Sequence, residues 1–103
     1  MDQESIGMIK EFKKSLKKEF PDAIIYLFGS RARGTHRVGS DFDFIVISKL
    51  FQGASMPRRL ERVYQHWNGK YNADIIPYTP DELKERSKRL TIAGKAMKES
   101  IEL

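Results

Sequence analysis

The chain has 103 residues, enough for one small domain over 1–103 and too few for two. Its 40% hydrophobic and 11% aromatic content suits a compact core, and the lack of cysteine excludes a disulfide scaffold, a zinc ribbon and a thiol nucleophile. A net charge of +5 is compatible with a phosphate-bearing partner without proving one. No apolar run is long enough for a membrane span, and Met1 leads into Asp2 and Glu4 rather than a basic, then apolar leader. The expectation is a cytoplasmic protein, a reducing compartment that cysteine-free chains fit.

Ile6, Ile9, Phe12 and Leu16 recur at helical spacing, with Lys13, Lys14, Lys17 and Lys18 between them. They predict an amphipathic helix over 5–19, closed by Pro21, with the lysines on a solvated face. Ala23 to Phe28 is a short apolar run that predicts a buried strand ended by Gly29 and Ser30. A second strand is expected from about Asp41 to Ser48. Ser55 is a good N-cap with Pro57 in the first turn, and Leu60, Val63, Tyr64 and Trp67 mark one helical face. Gly69 is read as the stop of that helix, and Tyr64 and Trp67 as core residues. Residues 71–78 predict a third strand limited by Pro77. Thr79-Pro80-Asp81-Glu82 reads as a capping box with proline at the first helical position, opening a helix to about Arg89. A further helical stretch is expected from Ile92 to about Ser100, then a short tail, Ile101–Leu103.

The link between the first two strands is about ten residues, short for a parallel crossover, so that pair is expected to be antiparallel. The link from the second to the third strand carries a helix and suits a parallel crossover. The fold class expected is α+β, a small mixed sheet flanked by helices.

Chemistry concentrates around the first two strands. Gly29-Ser30 follows a strand directly, and Arg31-Ala32-Arg33 would begin a helical turn ended by Gly34. Such a turn presents backbone N–H groups to a phosphate, with a hydroxyl from Ser30 and charge from Arg31 and Arg33. In Asp41-Phe42-Asp43 the two carboxylates lie on one face of a strand, roughly 7 Å apart. They repel unless a cation lies between them, and oxygen ligands beside a phosphate site favour Mg²⁺. Asp74 lies within an apolar strand, a costly position unless it is paired or metal-bound, and a neighbouring third strand would bring it to the acidic pair. The constellation suggests two-metal phosphoryl or nucleotidyl transfer, with Asp41 and Asp43 holding the ions and Asp74 beside the incoming hydroxyl.

Leu27-Phe28-Gly29-Ser30-Arg31-Ala32-Arg33-Gly34, ten residues between Ser30 and Asp41, and then Asp41-Phe42-Asp43 resemble the minimal nucleotidyltransferase family of the DNA polymerase β superfamily. Asp74 matches that family's third acid in position and surroundings, and the element order agrees over most of the chain. The resemblance implies the nucleotidyltransferase fold, a nucleotide triphosphate bound by Gly29 and Ser30, and Mg²⁺ bound by Asp41, Asp43 and Asp74. It also implies AMP transfer from ATP to a hydroxyl of a HEPN-type toxin, the chain acting as antitoxin.

Two other functions compete with this enzyme. One is a non-catalytic antitoxin that neutralises its toxin by covering it. The other is a small RNA-binding module, which the +5 charge suggests but the scattered basic residues do not favour. The bland readings are specific too. Arg33 can equally be a surface charge, Asp74 a structural acid, His36 an exposed loop residue, and Arg58, Arg59 and Arg62 solvated.

Overall fold

The computed structural model describes residues 2–34, 40–87 and 100–103, and the elements and contacts below belong to those residues. His36, the expected helical stretch from Ile92 and the end of the helix expected to reach Arg89 lie outside them.

Helix α1 spans Gln3–Glu19 and begins earlier than its apolar periodicity suggests, because the Asp2 carboxylate accepts the Ser5 N–H at 2.7 Å as an N-cap. Ile9, Phe12 and Leu16 form its buried stripe, while Lys14, Lys17 and Lys18 are exposed and Lys13 is half-buried. Strand β1 covers Ile24–Phe28, and helical turn α2 covers Ser30–Arg33. Strand β2 is Phe42–Ile47. Helix α3 is Met56–Tyr64, capped by Ser55, and strand β3 is Ala73–Tyr78. Helix α4 is Pro80–Ser87 and strand β4 is Ile101–Glu102.

The architecture is α+β. One mixed sheet has the order β3-β2-β1-β4, with β1 antiparallel to β2 and β2 parallel to β3. Both directions follow the connection lengths, since the β1–β2 link is short while the longer β2–β3 link carries α3. Alternation splits the strands into two faces. Ile25, Leu27, Phe42, Phe44, Val46 and Ile75 pack against α1 and Val63 of α3 in the main core. Ile45, Ile47 and Tyr78 form a second cluster on the opposite face, joined by Tyr26, Phe28, Ile76 and Leu83 of α4.

Several local expectations change in three dimensions. The C-terminal tail is a strand: β4 pairs with β1 through Tyr26↔Glu102 and Leu27↔Ile101, and the Leu103 N–H donates to Ile25 O at 2.8 Å. Two paired residues are too few to show any periodicity, and their pairing depends on the open edge of β1. Helix α3 ends at Tyr64, short of Gly69. Trp67 still reaches the main core, because two further tight turns follow, and its Nε1–H donates to Tyr71 O at 2.9 Å. Gly69 makes room for that indole rather than ending a helix, since a Cβ there would run into the Trp67 ring. Tyr64 is 39% exposed, and its hydroxyl accepts the Ile75 N–H of sheet-edge strand β3 at 3.0 Å.

The arginines of α3 are not uniformly solvated. Arg59 is 6% exposed and donates to Ala54 O, Pro77 O and both carboxylate oxygens of Glu82. Arg62 donates to Glu19 at 2.8 Å, and His66 Nε2 lies 2.7 Å from the same carboxylate, so the end of α1 is tied to α3. These partners are 23 and 43 residues away in sequence, which is why a helical-wheel reading of α3 alone assigns both side chains to water.

Candidate active site

Strand β1 stops at Phe28 because Gly29 turns the chain with φ 76 and ψ −158, a backbone conformation that a side chain disfavours. The turn α2 then closes with the Arg33 N–H on Gly29 O, and Gly34 ends it in the left-handed region at φ 74. The β1/β2 register sets Phe28 opposite Asp43, so the turn leaving β1 and the acidic segment entering β2 emerge at the same end of the sheet. The contact is close. A Cβ at Gly29 would lie 2.5 Å from Asp43 Oδ2, a separation that real Cβ atoms do not show.

Asp43 is half-buried and stands on the same face of β2 as Ile45 and Ile47. In the parallel pair, Asp43 is the direct partner of Asp74, whose carboxylate is exposed. Asp41, just before β2, is also exposed. Burial pushes the Asp43 carboxyl above the usual carboxylate range. The negative charges of Asp74 and then Asp41 push it the same way, and the Arg33 guanidinium opposes them. The acids therefore act on one another electrostatically across two strands. Among the described residues, no three acidic or imidazole groups are drawn together as a ready-made metal cluster. The donors are all carboxylate oxygens around a half-buried acid, a set whose chemistry fits Mg²⁺.

The two arginines of the turn separate. Residues two apart on a helical turn point about 200° apart. Arg33 is exposed and electrostatically coupled to Asp43. Arg31 is 4% exposed and spends its donors on Ser5 and Ser40. The sequence expectation placed both at a phosphate; the structure turns Arg31 inward and leaves Arg33 on the acidic side. The spacing of the two residues held a usable signal for this, once Arg31-Ala32-Arg33 is taken as helical. Ser30 is half-buried and starts the turn.

A family model for the nucleotidyltransferase domain matches residues 9–100. The chain belongs to the nucleotidyltransferase domain family. This nucleotidyltransferase is 32% identical over 76 residues to a Methanocaldococcus jannaschii protein assigned as a protein adenylyltransferase, aligning 72% of this chain with 77% of that one. A crystal structure of a Sulfolobus solfataricus protein assigned as a nucleotidyltransferase superposes with a TM-score of 0.65 at 29% identity, over 81% of this chain and 77% of that one. A toxin–antitoxin crystal structure with AMP-PNP gives a TM-score of 0.53 at 26% identity, over 66% of this chain and 55% of that one. Among the described residues, no helix of the nucleotidyltransferase is long and apolar enough to cross a membrane.

The Gly29–Asp43 contact makes a direct prediction for the nucleotidyltransferase. Gly29→Ala strains a backbone at φ 76 and drives a methyl group into the Asp43 carboxylate. Displacing a reacting group by about 1 Å can cost roughly a hundredfold in rate. We expect kcat/KM for nucleotidyl transfer to fall by about that factor, with a stability loss of only about 1–3 kcal/mol from the strained residue. Steady-state kinetics beside a thermal melt check this, and an alanine variant with parental kinetics would refute it.

Proposed function

We propose that this nucleotidyltransferase transfers AMP from ATP to a hydroxyl on a partner protein, as the antitoxin of a HEPN-type toxin. The observation that carries this reading is the close approach of Gly29, which opens the turn, to the Asp43 carboxylate; on this reading the turn seats the polyphosphate beside that acid. Support for a protein acceptor comes from the archaeal relative's name, and for a toxin pair from the structural neighbour.

In the proposed reaction Gly29 and Ser30 hold the triphosphate through backbone N–H groups and the serine hydroxyl. Arg33, exposed beside the acids, balances phosphate charge. Asp41, Asp43 and Asp74 would hold Mg²⁺, two ions by this reading, which supplies charge neutralisation to the attacking and leaving oxygens. The acceptor oxygen attacks the α-phosphorus, the Pα–O bond to the β-phosphate breaks, and pyrophosphate leaves. On this reading Asp74, the register partner of Asp43 across β2 and β3, takes the hydroxyl proton. The protein contributes position and charge rather than a covalent intermediate.

The test is intact-mass spectrometry of the purified chain mixed with a HEPN-type partner, Mg²⁺ and each nucleoside triphosphate in turn. A partner that gains AMP with ATP supports the proposal, and a partner that never gains nucleotide mass counts against it. The double variant Asp41→Asn with Asp43→Asn separates chemistry from occlusion. Toxin neutralisation that survives it means that the chain works by covering the toxin.

A further inference from the structure

Arg31 follows the phosphate-type turn directly, yet it is almost wholly withdrawn from solvent at 4% exposure. Its guanidinium donates twice to one acceptor: Nε and Nη2 reach the Ser40 carbonyl at 2.9 and 2.6 Å. Nη1 reaches Ser5 Oγ, a buried hydroxyl of α1, at 2.9 Å. The guanidinium carbon lies 3.9 Å from the Phe42 ring centroid and 5.2 Å from that of Tyr71. Burying a cation is costly, and these hydrogen bonds and aromatic faces offset the cost.

The targets of those bonds matter more than their number. Ser40 O belongs to the peptide that leads into Asp41, and Phe42 is the residue that follows it. Arg31 thus grips the backbone before Asp41 and the ring after it, while its own backbone is part of the turn opened by Gly29 and Ser30. Ser5 fixes the far side of the fork to α1, which the main core holds rigidly.

We propose that Arg31 is a positioning residue that locks the entrance of β2, and with it the Asp41 carboxylate, against the nucleotide turn. The inference rests on the reading of Asp41 and Asp43 as metal ligands and adds a residue that touches neither metal nor nucleotide. A planar fork with two parallel donors and a stacking face is required, and lysine supplies neither. Removing an outer partner of a ligand set commonly lowers metal affinity about 10- to 100-fold.

The experiment titrates Mn²⁺ into the nucleotide-free protein, followed by electron paramagnetic resonance, for the parent, Arg31→Lys, Arg31→Ala, Ser5→Ala and Asp43→Asn. Expected are a loss of Mn²⁺ affinity of about tenfold or more in Arg31→Lys and a smaller loss in Ser5→Ala. Guanidinium ion at millimolar concentration should restore affinity to Arg31→Ala, and methylammonium should not. In transfer assays kcat should fall in Arg31→Lys while KM for ATP holds. Parental Mn²⁺ affinity in Arg31→Lys, with affinity lost in Asp43→Asn, overturns the proposal and leaves the metal reading intact. Affinity unchanged in Asp43→Asn overturns the metal reading instead. If neither Arg31 variant folds, Ser5→Ala decides: parental Mn²⁺ affinity there overturns the proposal.

Discussion

Asp43→Asn is expected to abolish nearly all nucleotidyl transfer while leaving the metal-free protein as stable as the parent, or more so. Losing a group that organises charge at a transferring phosphoryl costs roughly 100- to 1000-fold in rate. Stability moves the other way, for a reason visible in the fold. Burial first, and then the Asp74 and Asp41 charges, raise the folded-state pKa of Asp43 above that of the unfolded chain. The folded protein therefore binds the proton more tightly, and this stability is fully present below the unfolded pKa. It is lost as pH rises through the raised folded value, so at neutral pH the ionised carboxylate weakens the fold. Asparagine keeps the shape and removes the charge, so the metal-free variant should melt at or above the parental Tm. Added Mg²⁺ should raise the Tm of the parent and have a smaller effect on the variant. Calorimetry in chelator and in Mg²⁺, beside a transfer assay, checks all three outcomes. An asparagine variant with parental turnover would remove Asp43 from the chemistry.

The second large effect concerns stability alone. Arg59→Ala should destabilise the protein by about 2–4 kcal/mol, because it strips hydrogen bonds from Ala54 O and Pro77 O and removes the partner of Glu82. In a domain of this size that is a fall in Tm of roughly 10–20 °C. Glu82 holds three elements through this pair. Its carboxylate also accepts the Thr79 N–H at 2.8 Å, while the Thr79 hydroxyl accepts the Glu82 N–H at 3.2 Å. The Arg59 guanidinium, with help from Thr79, lowers Glu82 from its ordinary value to about 2. A depressed acid stabilises above its unfolded pKa, so this contribution is complete above about pH 5 and fades as pH falls toward 2. With the Glu82 side chain 41% exposed, solvent screening leaves on the order of 1 kcal/mol. Urea melts at pH 6 and pH 3 should show that loss in the parent, and a smaller one in Glu82→Gln. Equal losses in both proteins would mean that acid acts elsewhere.

These two residues differ in how far the amino-acid sequence announces them. Asp43 belongs to a pattern with local meaning: a glycine-serine turn, ten intervening residues, and two aspartates alternating with phenylalanine. Alternation in a strand is a local rule, so the face of Asp43 and the hydrophobic fate of Phe42 and Phe44 follow from position alone. The capping box at Thr79 and Glu82 is legible for the same reason, because its partners are three residues apart. Arg59 carries no such mark. Its partners are the end of β3 and the first turn of α4, and a polar residue on a short helix looks solvated until those elements arrive.

Sequence by itself determined the order of the elements through α4, the antiparallel and parallel pairings of β1, β2 and β3, and the turn and acids that make up the candidate site. All of these arise from spacing along the chain: hydrophobic period, loop length, and glycine where φ is positive. Tertiary structure decided the register that makes Asp74 the direct partner of Asp43, the choice of Ser40 and Ser5 as the partners of Arg31, and that Ile101 and Glu102 complete the sheet. Those outcomes depend on which distant groups meet when the sheet closes. A guanidinium or a strand edge has many acceptable partners, and only packing selects among them.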